Sequence, residues 1–188
     1  MPNATTTPTT ARTVAIVGGG FAGTTLAREL QGRLPAGWQL LLISEESYTT
    51  FNPMLPEVVG AGVFPEHVVA PIREMLPGVR FVMGTVRGVD KDARRICCDT
   101  LSGPLDFTYD HLVLALGQRA RLDLLPGMAE HALPLKLVGD ALHIRNRVLQ
   151  ALARRELGEG DALGHFVVIG GGFSGVEVAG ALADFVRS

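Results

Sequence analysis

Two short phrases carry glycines in the order G-x-G-x-x-G. VAIVGGGFAG (14–23) supplies Gly18, Gly20 and Gly23, and FVVIGGGFSG (166–175) supplies Gly170, Gly172 and Gly175. An alanine follows each four positions after the last glycine, Ala27 and Ala179. The chemistry this spacing serves is the holding of a pyrophosphate. The first glycine permits a tight turn out of a strand, the second lets a phosphate approach the backbone, and the third lets a helix pack closely on a sheet. The helix then offers free N–H groups and a partial positive charge to the anion. Glu45 lies 22 residues beyond Gly23, just past a second apolar run, where a carboxylate can accept both hydroxyls of an adenosine ribose. The same spacing counted from Gly175 falls near position 197, beyond Ser188. The second phrase is therefore expected to have its turn without a second strand or a ribose acid.

These residues need particular elements to position them. Thr13–Val17 and Gln39–Ile43 are short β-branched or apolar runs that read as buried parallel strands. Between them, Ala22–Leu34 repeats leucine at Leu26, Leu30 and Leu34, a helical stripe stopped by Pro35-Ala36-Gly37. Strand, glycine turn, helix and strand make a βαβ unit. Further on, PGVRFVMGTVRGVD, RRICCD and LDFTYD predict an antiparallel meander, and HLVLALG a fully apolar strand. Asp140–Leu157 predicts an amphipathic helix, with Arg145, Arg147, Arg154 and Arg155 on the wet side. After a glycine-rich linker (158–164), a strand at Phe166–Ile169 should lead into the second turn and a last helix.

The bulk numbers restrict the alternatives. The 188 residues suffice for one domain and part of another. Net charge is −2 with no basic cluster, which argues against nucleic acid. The longest apolar runs are too short to span a bilayer. The Thr/Pro-rich residues 1–12 lack the features of a secretory signal and read as a disordered tail. Cys97 and Cys98 are adjacent, which is neither a CxxC pair nor a zinc spacing; on a strand the two thiols would point to opposite faces. They read as reduced residues of a cytosolic protein. The five histidines have no ligand spacing, so no metal is assigned.

With both glycine phrases, SYTTFNPMLPEVVGAG, YDHLVLALG, HALPLKLVGDAL and VVIGGGFSGVEVAGALADF, the chain resembles the pyridine nucleotide-disulphide oxidoreductase superfamily of two-dinucleotide flavoproteins. Within it the chain is most similar to the type II NADH dehydrogenases, which pass electrons from NADH to a quinone. The resemblance implies an α/β fold: a Rossmann-like FAD-binding domain at 13–157, with a parallel sheet and a small meander, then the start of a Rossmann-like NAD(P)H-binding domain at 165–188. It implies that Gly18, Gly20, Phe21, Ala22 and Gly23 hold the FAD pyrophosphate. The usual ribose acid aligns with Ser44, next to Glu45, and Glu45 is preferred because a hydroxyl replaces a bidentate carboxylate poorly. A solvated Glu45-Glu46 turn is the plain alternative.

Pro53, with Met54 and Leu55, aligns with the segment beside the flavin ring, although Asn52-Pro53 is itself a turn signal. Val86 aligns with the residue whose backbone reads the adenine edge, and Ala115, Leu116 and Gly117 with the turn that approaches the flavin. Gly170, Gly172 and Gly175 would take the NAD(P)H pyrophosphate, and Glu177 would sit near the nicotinamide and flavin; alternatively, Glu177 complements a helix dipole. Lys136 and Asp140 match a family phrase, or mark a helix start with Asp140 as N-cap.

Hydride transfer to a flavin needs no protein nucleophile, which agrees with the lack of a Ser/His/Asp or Cys/His set. With no CxxC, electrons should leave the flavin directly, to a quinone, a dye, an iron–sulphur partner or oxygen. The alternatives are an FAD-binding module without catalytic activity, and a ferredoxin reductase-like or sulfide:quinone reductase-like enzyme. The resemblance is compatible with a homodimer, and with a cytoplasmic protein or one held at the inner face of the cytoplasmic membrane through a C-terminal region. The 188 residues alone are expected to be a truncated chain that binds FAD weakly and does not oxidise NADH.

Overall fold

The computed structural model describes residues 11–159 and 165–187. The expected tail up to residue 10 and linker residues 160–164 lie outside the described residues. The chain divides into two compact units: 1–49 with 71–117, and 50–70 with 118–188. It passes between them at the short strands β3 (Tyr48–Thr50) and β4 (Val69–Pro71).

The first unit is built on a six-stranded sheet of β1 (Arg12–Val17), β2 (Trp38–Ser44), β5 (Arg80–Asp90), β6 (Arg95–Thr100), β7 (Gly103–Thr108) and β8 (His111–Leu114), in the order β7-β6-β5-β2-β1-β8. β1 pairs in parallel with β2 and β8, and β2 in parallel with β5. β5 is long enough to serve twice: Arg80–Met83 completes the parallel sheet, and Gly84–Asp90 runs antiparallel to β6. β6 and β7 complete the expected meander. This is a mixed α/β sheet of the Rossmann dinucleotide-binding type.

Helix α1 (Phe21–Leu30) covers one face and buries Thr24 and Ala27. On that side Val14, Ile16, Leu40, Leu42, Ile72 and Phe81 form a core, with Leu26, Leu30 and Leu34 packed at its edge. Ala15, Val17, Leu41, Ile43, Ile96, Cys98 and Phe107 form the core of the other face. Alternate residues of β1 and β2 thus feed opposite faces, and both are covered, which is why the two runs read as continuously apolar.

Several boundaries differ from expectation. Arg12 belongs to β1 rather than to the tail. α1 stops at Leu30, because Gly32 takes a left-handed conformation (φ 79°) and ends the helix a turn before Pro35. β8 ends at Leu114 and is an edge strand, with Leu114 58% exposed, so HLVLALG is not the fully buried strand its composition suggests. Apolar composition does not distinguish an edge strand from a central one; only strand order does.

The second unit holds the short helices α2 (Leu55–Val59) and α4 (Met128–His131) and the longer α5 (Val138–Glu156) and α6 (Phe173–Arg187); α3 (Ile72–Met75) belongs to the first. Leu55, Val58 and Val59 are buried, and α2 packs against both α5 and α6. The inward stripe of α5 is Val138, Ala141 and Val148. Leu149 is exposed, and Arg145, expected on the wet side, has a buried Nε. Phe166–Ile169, expected as a strand, pairs with no strand among the described residues, and all four side chains are exposed. A strand needs a ladder partner, and a local pattern cannot supply one.

Asp140 is not the N-cap of α5 but its third residue. Its carboxylate accepts hydrogen bonds from the backbone N–H groups of Lys136 and Leu137, both at 2.8 Å. The Lys136 carbonyl in turn accepts from the Asn52 side-chain amide at 2.8 Å, which ties the Asn52-Pro53 turn to the start of α5. Asp140→Ala should lower stability by about 1–2 kcal/mol, the usual effect of removing a helix-start acceptor. Urea unfolding followed by circular dichroism checks this, and an unchanged midpoint would show that water replaces the carboxylate fully.

Candidate functional site

The first glycine turn forms where the C-terminal ends of β1, β2 and β8 converge. Gly18 donates its N–H to the Ile43 carbonyl at 2.8 Å, and Ala115 donates to the Val17 carbonyl at 2.8 Å. Gly18 has φ 114°, and a Cβ there would lie 2.1 Å from the Ala115 carbonyl oxygen. A Cβ on Gly23 would lie 1.9 Å from the Gly18 oxygen. Gly18 therefore seats β8 and Gly23 closes the turn, which are two packing tasks.

Gly20 differs. It is the N-cap of α1, and among the described residues no atom beyond its chain neighbours lies within 4 Å of the position its Cβ would take. No side chain caps α1, and its first turn has no acidic residue. The positive end of the helix dipole thus faces open space over a backbone with no side chain in the way, a fit for an anionic diphosphate.

Phe21, the first residue of α1, and Leu114 and Leu116, at and just past the end of β8, are each more than half exposed. Gly117 follows with φ 64°. β2 lies on one side of β1 and β8 on the other, so the crevice is a topological switch point, the usual ligand position in open α/β sheets.

Ser44 is the last residue of β2, and its Oγ lies against Gly19, 2.6 Å from where a Cβ on that glycine would stand. Glu45 is exposed just beyond it, and Glu46 is half-buried. Val86 is half-buried, with its side chain packed beside the Ile96–Cys98–Phe107 core and its position paired with Cys98 in the β5–β6 ladder. The first unit therefore brings together Gly18, Gly20, Phe21, Ala22, Gly23, Ser44, Ala115, Leu116 and Gly117 at one end of the sheet, with Glu45 at the tip of β2 and Val86 on the neighbouring strand β5.

The second glycine turn repeats the first in detail. Gly170 has φ 119°, a Cβ on Gly175 would lie 1.9 Å from the Gly170 oxygen, and Gly172 is open. The first helical bond is also repeated: Val176 N–H to Gly172 at 3.1 Å, as Thr24 N–H to Gly20 at 3.0 Å. Its surroundings are not repeated. Gly18 meets Ala115 and Gly19 meets Ser44 and Ile72, whereas among the described residues a Cβ on Gly170 or Gly171 would meet nothing within 4 Å. Glu177 is exposed and lies beyond the first turn of α6, so the dipole-complementing role is not the one it fills. Pro53 is exposed in a single turn of 3-10 helix, while Leu55 is fully buried and unavailable to a ligand.

The cysteines part to opposite sides, as β geometry requires. Cys98 is buried in the core and Cys97 is partly exposed. A hydrogen bond with Asp106 and partial burial raise the Cys97 thiol above its ordinary pKa; burial, and then Asp99, raise that of Cys98. Both shifts disfavour the thiolate, the reactive form. Among the described residues no group of three or more His, Cys, Asp or Glu side chains could hold a metal.

Strand order, switch point and turn geometry together define an α/β dinucleotide-binding unit. The chain belongs to the pyridine nucleotide-disulphide oxidoreductase family, whose model matches residues 12–188. It is 32% identical over 201 aligned positions to the mitochondrial external alternative NAD(P)H-ubiquinone oxidoreductase B3 of Arabidopsis thaliana, a match covering 98% of this chain and 34% of that protein. It is 30% identical to the demethylphylloquinone reductase NdbB of Synechocystis, covering 91% of this chain and 43% of that one. The structure of NDH2 from Plasmodium falciparum in complex with RYL-552 superposes with a TM-score of 0.85 at 26% identity, covering 94% of this chain and 37% of that one. The chain thus spans about a third of the length of the first of these relatives.

Proposed function

We propose that this chain provides the FAD site and the first NAD(P)H-binding elements of an NAD(P)H dehydrogenase that delivers electrons to a quinone. The observation that carries the reading is the pair of glycine turns with one geometry, each opening onto a helix N-terminus, within a family of pyridine nucleotide flavoproteins. Bound FAD would supply the hydride acceptor, which no side chain can provide. In this reading Gly18, Gly20, Phe21, Ala22 and Gly23 hold the FAD pyrophosphate with backbone N–H groups. Ser44 and Glu45 face the ribose, the Val86 backbone faces the adenine, and Ala115, Leu116 and Gly117 line the flavin side. Pro53 keeps the flavin-side role that the resemblance implies. Gly170, Gly172 and Gly175 hold the pyrophosphate of NAD(P)H, and Glu177 stands at its nicotinamide end.

The quinone is proposed from the relatives, among them ubiquinone oxidoreductases and a demethylphylloquinone reductase. Residues 13–157 would then serve FAD and residues 165–188 begin the NAD(P)H-binding domain. A homodimer and attachment to the inner face of the cytoplasmic membrane fit the same reading. No helix among the described residues is long and apolar enough to cross a membrane, so such attachment would be peripheral or made elsewhere.

Expressed from its natural gene, the protein should retain FAD through gel filtration and reduce a short-chain quinone with NADH or NADPH as donor. Alkylating Cys97 and Cys98 should leave that rate within about twofold, since neither thiol is activated. FAD retention without nicotinamide-dependent quinone reduction would favour the FAD-binding module. Loss of turnover on alkylation would restore a sulfur-based, sulfide:quinone reductase-like mechanism.

A further inference from the structure

Asn-Pro is a turn by residue type, and an asparagine in a turn ordinarily bonds backbone groups close to itself. Asn52 does otherwise. Its side-chain amide donates to the Lys136 carbonyl, 84 residues away, at 2.8 Å. That carbonyl is itself fixed, because the Asp140 carboxylate accepts from the N–H groups on either side of it, those of Lys136 and Leu137. Asn52, Lys136 and Asp140 all lie in the second unit. The segment around Asn52 is tied at both ends: Phe51 N–H donates to the Val68 carbonyl at 2.7 Å, and Leu55 is buried. Between these ties, in the 3-10 turn Asn52–Met54, Pro53 is exposed. A proline has no N–H with which to anchor itself, so its orientation depends on the residues beside it.

We propose that Asn52 is a positioning residue for the flavin end of the first dinucleotide site: by donating to the Lys136 carbonyl, which Asp140 holds in place, its amide fixes the Pro53 turn in advance of the ligand. This rests on the FAD reading and on the flavin-side role of Pro53 within it. A segment that must order itself as a ligand arrives lowers affinity by the freedom it loses, and a bond already made removes that loss. The bond joins neutral groups, so its effect is modest and does not depend on salt.

The test compares two ligands on the protein expressed from its natural gene with its flavin removed: FAD, read by quenching of flavin fluorescence, and ADP, read by titration calorimetry. Asn52→Leu keeps the size of the side chain and removes the donor. It should weaken FAD binding about threefold to tenfold and leave ADP binding unchanged, because ADP carries no flavin. Asn52→Gln, which keeps an amide donor, should recover part of the loss, and no recovery would overturn the hydrogen bond as its cause. Asp140→Ala loosens the same carbonyl without touching the Pro53 turn, and carries the test should Asn52→Leu not fold. It should weaken FAD about twofold to threefold, again without ADP, and should add nothing in an Asn52→Leu background. Equal losses of FAD and ADP would overturn the proposal and make the network a support of the whole fold. Wild-type FAD affinity in both Asn52→Leu and Asp140→Ala would overturn it too. A wild-type protein that binds no FAD sinks the FAD reading itself, a result distinct from either.

Discussion

Gly23→Ala should destabilise the first unit by roughly 3 kcal/mol or more, whereas Gly20→Ala should leave stability within about 0.5 kcal/mol and still weaken FAD binding. A Cβ on Gly23 falls 1.9 Å from the Gly18 carbonyl oxygen and 3.4 Å from Ile16 Cγ2. Neither neighbour can yield cheaply. The first is backbone between β1 and α1, and Ile16 is fully buried in the core. The helix must tilt away from the sheet, which opens the packing of Ala27 and Thr24.

Gly20 has φ −78° and ψ −170°, a conformation open to any residue, and a Cβ there meets nothing. The space that Cβ fills is the space a pyrophosphate would use. Gly20→Ala should weaken FAD by about 2 kcal/mol or more, some thirtyfold. Urea unfolding and flavin fluorescence titration on the same samples separate the two effects. Wild-type FAD affinity in Gly20→Ala would show that the phosphate lies elsewhere. Wild-type stability in Gly23→Ala would show that the turn relaxes more easily than its contacts imply.

Glu45→Ala should weaken FAD by about 1.5–3 kcal/mol, the range for a hydrogen bond to a charged group, while Glu46→Ala should have little effect. The two acids are adjacent, yet successive residues leaving a strand point to opposite sides: Glu45 is exposed and Glu46 half-buried. Equal small losses from both variants would return the pair to a solvated turn and pass the ribose to Ser44, whose hydroxyl already lies against the turn at Gly19. Ser44→Ala distinguishes that outcome: it should be nearly silent if Glu45 is the acceptor, and costly if it is not.

Features set within a few residues were legible in the sequence. The glycine spacing alone dictates both turns, because the clash between a Cβ on the third glycine and the carbonyl of the first is internal to a few residues. The two turns accordingly have the same geometry in different surroundings. The βαβ unit and the meander were also legible, since a change of period from alternating or continuous apolar runs to a leucine stripe is a property of short windows.

Other features depended on partners distant in the chain. β8 has the apolar composition of a buried strand and is an edge, because that composition is the same whether one neighbour or two lie beside it. Phe166–Ile169 has every local mark of a strand and is not one among the described residues, since hydrogen-bond ladders are pairwise. Asp140 reads as an N-cap by residue type, but its carboxylate reaches back to Lys136 and Leu137, and Asn52 joins them from far earlier in the chain. The bulge at Arg87, where Val86 pairs with Cys98 and Gly88 with Cys97, left no mark in the sequence, because it is a mismatch of register between two strands and exists only once they pair. Sequence alone thus determined the two glycine turns, the βαβ unit, the meander and the family. Tertiary structure decided which strand ends converge on the turn, and which of the neighbouring side chains pack into the core or stay open to a ligand.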